Sequence, residues 1–116
     1  MRKCAWFTLL ILFFSVGSIH AEYIADYKAS DHEAITVSST AIGVTAEKVK
    51  AGGVFITIES ANIRFCFDGT VATSTTCHIA YQGDSILLRN KWAALSLSMI
   101  RDDATDATAR VTYLSE

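Results

Sequence analysis

Four side chains in the middle of the chain are of types that take part in catalysis. Cys77 lies beside His78, and Cys66 and Asp68 come shortly before them. A cysteine nucleophile needs a histidine within hydrogen-bond reach of its thiolate. Neighbouring residues on a strand point to opposite faces, so Cys77 and His78 cannot meet in that way. We therefore expect no enzyme activity here and interpret His78 as a polar strand residue.

Metal binding is the second kind of chemistry to consider. The chain has no Cys-x-x-Cys pair and three histidines, which are His20, His32 and His78. We therefore expect neither a zinc site nor a histidine-carboxylate metal site. Three aspartates share one connector: Asp102, Asp103 and Asp106. They lack the glycine and the terminal glutamate of a calcium loop, so we interpret this connector as a solvated turn and expect no metal or other cofactor.

Trp92 is a candidate for ligand binding because Arg89 and Lys91 stand near it in the sequence. An exposed tryptophan among cations suits a sugar or protein ligand. The alternative is that Trp92 fills the core, and we expect this because a tryptophan in a chain of this size more often lies in the core.

Residues 1–21 have the layout of a secretory signal peptide. Arg2 and Lys3 precede an apolar run of about ten residues, and small residues follow up to Ala21. The apolar stretch is shorter than the roughly 20 residues of a spanning helix, although an uncleaved anchor is the alternative. We expect cleavage after Ala21 and export to an oxidising compartment, so the mature protein would be secreted or periplasmic.

The mature chain, residues 22–116, has the size of one domain. Without Arg2 and Lys3 it keeps eight basic residues against twelve acidic ones, a formal charge of −4. A nucleic-acid-binding protein would present a basic face, so this balance argues against nucleic acid as a partner.

Apolar residues recur at every second position from Glu33 onward, which is the period of β-strands. Three dipeptides that favour turns separate the runs: Gly52-Gly53, Asp68-Gly69 and Gly83-Asp84. The pattern predicts an all-β domain over residues 33–116, an antiparallel sandwich or small jelly roll of about seven or eight strands. Residues 22–32 have no clear period and are interpreted as an extended arm or linker. One helical turn is expected within residues 45–50.

The alternation also predicts the core. The side chains expected there are Ile35, Val37, Phe55, Ile58, Phe65, Phe67, Leu97, Met99, Val111 and Tyr113. Cys66 and Cys77 form an even pair in an exported chain, which favours a disulfide. However, Cys66 alternates with Phe65 and Phe67 and would face out, while Cys77 shares its face with Ile79 and Tyr81 and would face in. Both orientations together would require a β-bulge.

Three stretches of the chain resemble a known group of proteins. They are residues 63–70 (IRFCFDGT), 78–84 (HIAYQGD) and 105–113 (TDATARVTY). In this order they resemble small all-β proteins encoded among the structural genes of tailed phages and prophages. The motif positions at the turns are Asp68, Gly69, Thr70, Gly83 and Asp84. The resemblance implies a virion accessory domain, such as a head-decoration or tail-associated protein, without a catalytic site.

Together these observations predict a non-enzymatic structural or interaction domain of phage virion type in an exported context, located in the virion or outside the cell. The alternative is a secreted module that binds a glycan or a surface protein. The expected partners are copies of the same chain or other virion or surface proteins, and a membrane only through an uncleaved leader. We expect a dimer or trimer, because a strand-rich domain has edge strands and this chain contains no proline to block them.

Overall fold

The computed structural model of the protein describes residues 28–115, which form seven strands in two antiparallel sheets. The strands are β1 (Lys28–Val37), β2 (Gly53–Glu59), β3 (Ile63–Cys66), β4 (His78–Ala80), β5 (Ser85–Leu88), β6 (Ser98–Arg101) and β7 (Ala107–Ser115). A 3-10 turn, Ala46–Lys48, follows β1, and a short helix α1, Lys91–Leu95, follows β5. The all-β sandwich expected from the sequence is confirmed. The expected signal peptide lies outside the described residues.

The strand order shows how distant parts of the chain come together. One sheet has the order β1-β7-β2-β5 and the other has the order β4-β3-β6. The loop after β1 also reaches the second sheet, because Ile42 and Met99 exchange two backbone hydrogen bonds of 2.8 and 2.7 Å. Ile42 and Val44 also alternate with smaller residues in the sequence. However, this segment forms an isolated bridge rather than an eighth strand.

Strict alternation of side chains builds the core between the sheets. In the four-stranded sheet the inward residues are Ile35, Val37, Val54, Ile56, Ile58, Ile86, Leu88, Ala107, Ala109, Val111 and Tyr113, and all are buried. The three-stranded sheet adds Ile63, Ala80 and Met99. No polar or charged residue of the described part of the chain is buried. Hydrophobic side chains therefore fill the space between the two sheets.

Three aromatic residues expected in the core are not buried there. Phe55 is 39% exposed because the alternation of β2 turns its neighbours Val54 and Ile56 inward instead. Phe67 is 41% exposed, since β3 ends one residue before it. Trp92 is 70% exposed because α1 buries Ala94, and residues two apart on a helix do not share a face. Phe65 is half-buried and packs against the core.

The prediction of an arm or linker over residues 22–32 is wrong for residues 28–32. Lys28 pairs with Ser115 and the ladder between β1 and β7 continues to Val37, so residues 28–32 belong to a strand. The register shifts between Ala29 and Asp31, and this irregularity hides the period of two in the sequence. Residues 22–27 lie outside the described part.

A polar network lies at the edge of the core around the hydroxyl of the buried Tyr113. The Tyr113 hydroxyl donates to Glu33 on β1 and accepts a 3.0 Å hydrogen bond from the Thr45 backbone N–H. Lys48 lies 3.6 Å from Glu33 and 3.4 Å from Asp31. Burial and the bond to Glu33 raise the pKa of Tyr113 to about 12. Burial alone would raise the pKa of Glu33, but hydrogen bonds from Thr45 and Tyr113 outweigh it and lower the pKa.

The two faces of β2 provide a first prediction. Ile56→Ala removes a fully buried side chain and should lower the free energy of unfolding by roughly 2–5 kcal/mol. Phe55→Ala removes a larger side chain from the outer face and should cost less than about 1 kcal/mol. Urea denaturation of both variants measures the difference. Equal losses would show that the inward face of β2 is misassigned.

The tyrosine network predicts a loss of stability in alkali. Between the ordinary pKa of 10 and the raised value of about 12, the folded protein keeps a Tyr113 proton that the unfolded chain has lost. The contribution is therefore complete below pH 10 and disappears as pH rises through 12, a loss of roughly 2 kcal/mol. Urea denaturation at a series of pH values across this range measures it. Tyr113→Phe should flatten the profile, and Tyr81→Phe, at an exposed tyrosine, should not.

Candidate functional site

A disulfide joins β3 to the residue just before β4. The Sγ atoms of Cys66 and Cys77 are 1.99 Å apart, and their Cα atoms are 5.3 Å apart. The antiparallel ladder ends with the pair Phe65 and His78, so the two cysteines occupy the next row of the same register. The covalent link therefore extends the ladder and holds both ends of the loop over residues 67–77.

The disulfide resolves the expected conflict of faces without a bulge between β3 and β4. Cys66 does lie on the opposite face from Phe65, but it is only 1% exposed. Cys77 is exposed and does not point into the core, because its φ of 64° takes it out of the strand conformation. Ala80 fills the inward position of β4, whereas Tyr81 is 58% exposed. The expectation that Ile79 and Tyr81 face the core was therefore wrong.

The loop over residues 67–77 covers the outer face of the three-stranded sheet. The Ala72 N–H donates a 2.9 Å hydrogen bond to Ser98 Oγ on β6, and Ala72 is 1% exposed. Ser98 is the register partner of Cys66, so the Ala72 bond holds the loop next to Cys66, which is 1% exposed. A 2.8 Å hydrogen bond between the hydroxyls of Thr73 and Thr76 stabilises the last part of the loop, before Cys77.

Three rings cluster beside the disulfide. The ring centroids of Phe65 and His78 are 5.4 Å apart, those of Phe67 and His78 are 5.5 Å apart, and those of the two phenylalanines are 6.1 Å apart. These distances are typical of favourable ring contacts. A cavity of about 160 Å³ opens here, lined by Cys66, Phe67, Asp68, Cys77 and His78. We call this cavity the aromatic pocket.

Asp68 is the one acidic residue among those that line the aromatic pocket. Its Oδ1 accepts a 3.0 Å hydrogen bond from the Thr70 N–H, and Gly69 between them has a φ of 91°. Hydrogen bonds from Thr70 are the main cause that holds the pKa of Asp68 below its ordinary value, and His78 contributes in the same direction. The motif Asp68-Gly69-Thr70 therefore forms a turn that fixes a negative charge at the pocket.

The second motif turn lies elsewhere and has a structural role. Asp84 accepts a 2.9 Å hydrogen bond from the Tyr81 N–H through its side chain, and Gly83 adopts a φ of 93°. Gly83 N–H donates to Ile58 O at 2.8 Å, and Ile58 N–H donates to Asp84 O at 2.9 Å. This turn therefore attaches the start of β5 to the end of β2, and it does not contribute to the aromatic pocket.

The aspartates of the connector after β6 do not converge on one point. Asp102 pairs with Arg64 at 3.0 Å, and Asp106 pairs with Arg101 at 2.7 Å. Asp103 accepts a 2.9 Å hydrogen bond from the Thr105 N–H. Across residues 28–115, no group of three or more histidine, cysteine, aspartate or glutamate side chains is placed to hold a metal ion. In the same part of the chain, no helix has the length and apolar character needed to cross a membrane.

Sequence reasoning did not find the ring cluster. The alternation predicts that Phe65 and Phe67 lie in the core, and it gives no reason to pair His78 with them. The cysteine pair could have revealed the cluster, because placing Cys66 opposite Cys77 in an antiparallel hairpin also places Phe65 opposite His78.

Comparison of the chain with protein-family models, curated proteins and solved structures finds no match.

The disulfide provides a prediction on stability. Replacing both cysteines, as Cys66→Ala with Cys77→Ala, frees a loop of about twelve residues in the unfolded chain and should cost about 3 kcal/mol. Guanidinium denaturation of the disulfide-bonded protein and the double variant measures this loss. Cys66→Ala alone should cost at least as much, because it also removes the bond. An unchanged midpoint in both variants would contradict the stabilising role of the link.

Proposed function

We propose that the protein is a non-enzymatic structural domain that assembles with copies of itself or with neighbouring proteins, in the manner of phage virion accessory proteins. The observation that carries this proposal is the set of large apolar side chains left outside a complete core. Those that are more than a third exposed are Ile42, Phe55, Phe67, Val71, Tyr81, Leu87, Trp92 and Leu95. A partner protein would remove this apolar surface from water.

Four of these side chains lie close to one edge of the four-stranded sheet. Phe55 and Leu87 are register partners on its outer face, and β5, which carries Leu87, is an edge strand. The helix α1 begins at Lys91, shortly after β5, and carries Trp92 and Leu95 with 70% and 47% exposure. Aromatic residues of this kind are enriched in protein interfaces, which supports an assembly role for this edge.

The chemistry of the aromatic pocket is consistent with a non-catalytic role. Cys77 is bonded to Cys66, so it supplies no thiolate to His78. His78 instead stacks on the Phe67 ring and lies tilted against the Phe65 ring. The motif residues Asp68 and Asp84 use their carboxylates to hold turns. These contacts support the interpretation of the motifs as structural signals.

Self-association is the testable consequence of this proposal. The exported protein should form a dimer or trimer at high micromolar concentration, and Trp92→Ala with Leu87→Ser should shift it toward the monomer because the interface loses apolar area. Size-exclusion chromatography with light scattering measures the mass. Tyr81→Ala is the matched control, since Tyr81 is exposed but is not one of the four side chains at the edge being tested. Removal of residues 22–27 tests whether the arm contributes, without cutting into β1.

The two functions expected from the sequence differ in where the protein is found. A virion protein co-sediments with phage particles in a density gradient, whereas a secreted binding module stays soluble in the culture supernatant. A protein that is strictly monomeric and absent from particles would overturn the proposal in favour of the secreted module.

A further inference from the structure

We propose that the aromatic pocket binds the guanidinium group of an arginine side chain presented by a partner protein. This inference rests on the proposed interaction role of the domain and names the chemistry that the partner must carry. It is carried by three features that meet in one cavity: ring faces, a carboxylate, and a size that admits a planar group together with the methylenes leading to it.

The rings provide a surface for a planar cation. Phe67 and His78 stack at 5.5 Å with 24° between their planes, and Phe65 supports both from the side of the core. Phe67 is 41% exposed, so part of its surface is open to a partner. A guanidinium stacks on aromatic faces and is attracted by their electron density. A lysine ammonium is a compact, strongly hydrated charge and gains less from a flat surface.

Asp68 provides the charge that complements a guanidinium. Asp68 lines the same cavity as Phe67 and His78, and the Thr70 N–H orients its carboxylate. A carboxylate has about four positions for accepting hydrogen bonds, so the bond from Thr70 leaves capacity for a second donor. Guanidinium and carboxylate groups form paired hydrogen bonds of matched geometry. The arginine would therefore stack on the rings and donate to Asp68.

The disulfide gives the pocket a fixed shape. Cys66 and Cys77 line the cavity and close the loop that begins with Phe67 and Asp68. The Ala72 hydrogen bond to Ser98 fastens the middle of this loop to β6. Because both ends and the middle are held, the ring faces and the carboxylate are in place before a ligand arrives, which reduces the entropy lost on binding.

A titration with small probes tests the inference without relying on self-association. The exported, disulfide-bonded protein is titrated with N-acetylarginine methylamide while NMR follows the ring signals of Phe67 and His78. The solution is kept near pH 8, above the range in which histidine side chains generally carry a proton. The citrulline analogue has the same shape without the charge, and the lysine analogue has the charge without the plane. Both should bind at least about threefold more weakly than the arginine amide.

Two variants separate the charge from the fold. Asp68→Asn keeps an oxygen that can accept from Thr70 and removes the charge, so binding of the arginine amide should weaken by about three- to tenfold. Asp84→Asn makes the same change in the other turn, outside the pocket, and should leave binding unchanged. Phe67→Ala should weaken binding by a similar factor because the stacking surface is lost.

Three results would overturn the inference. The first is an absence of shifts in the Phe67 and His78 signals at probe concentrations that saturate a weak site. The second is equal binding of the citrulline and arginine amides, which would exclude the charge. The third is tighter binding of a methyl pyranoside, which would assign the pocket to a carbohydrate. Since the probes are small, a protein that stays monomeric would still report on the pocket, so the two proposals fail independently.

Discussion

The alternation of side chains along β7 is the constraint on which the rest of the fold depends. β7 joins β1 to β2, and its four inward residues are at most 1% exposed. Their volume grows from Ala107 and Ala109 through Val111 to Tyr113, so the largest of the four lies near the C-terminal end of the strand. The buried phenol of Tyr113 needs hydrogen-bond partners, and Glu33 on β1 and Thr45 in the following loop provide them.

In the smaller sheet, the register between β3 and β4 determines which side chains meet at the aromatic pocket. The row formed by Phe65 and His78 brings two rings together, and the next row is closed by the disulfide. The loop between the cysteines then crosses the outer face and presents Asp68 next to the rings. A slip of one residue between β3 and β4 would move every side chain to the other face and separate the rings from the carboxylate. Packing of Ile63 and Ala80 in the core prevents that slip.

The sequence predicted what depends on local periodicity and missed what depends on contacts between elements. The strands, the 3-10 turn and the disulfide follow from alternation, good helix formers and an even cysteine pair. The predicted core includes both Phe55 and Ile58, although their odd separation puts them on opposite faces of a regular strand. The helix α1 is short, and its only clear signal is Asn90, whose side chain accepts a 2.7 Å hydrogen bond from Ala93 N–H. The path of residues 67–77 depends on Ser98, about 26 residues from Ala72, which no local pattern reveals.

The position of β7 in the chain also sets when the fold can form during synthesis. β1 is made early, but Glu33 and its partner Tyr113 are 80 residues apart in sequence. Until β7 leaves the ribosome, β1 lacks its neighbour and the core lacks its central row. Pairing over such a distance is slow, because the chain loses loop entropy before it gains contacts. The core between the two sheets can therefore be completed only after the last strand of the chain has been synthesised.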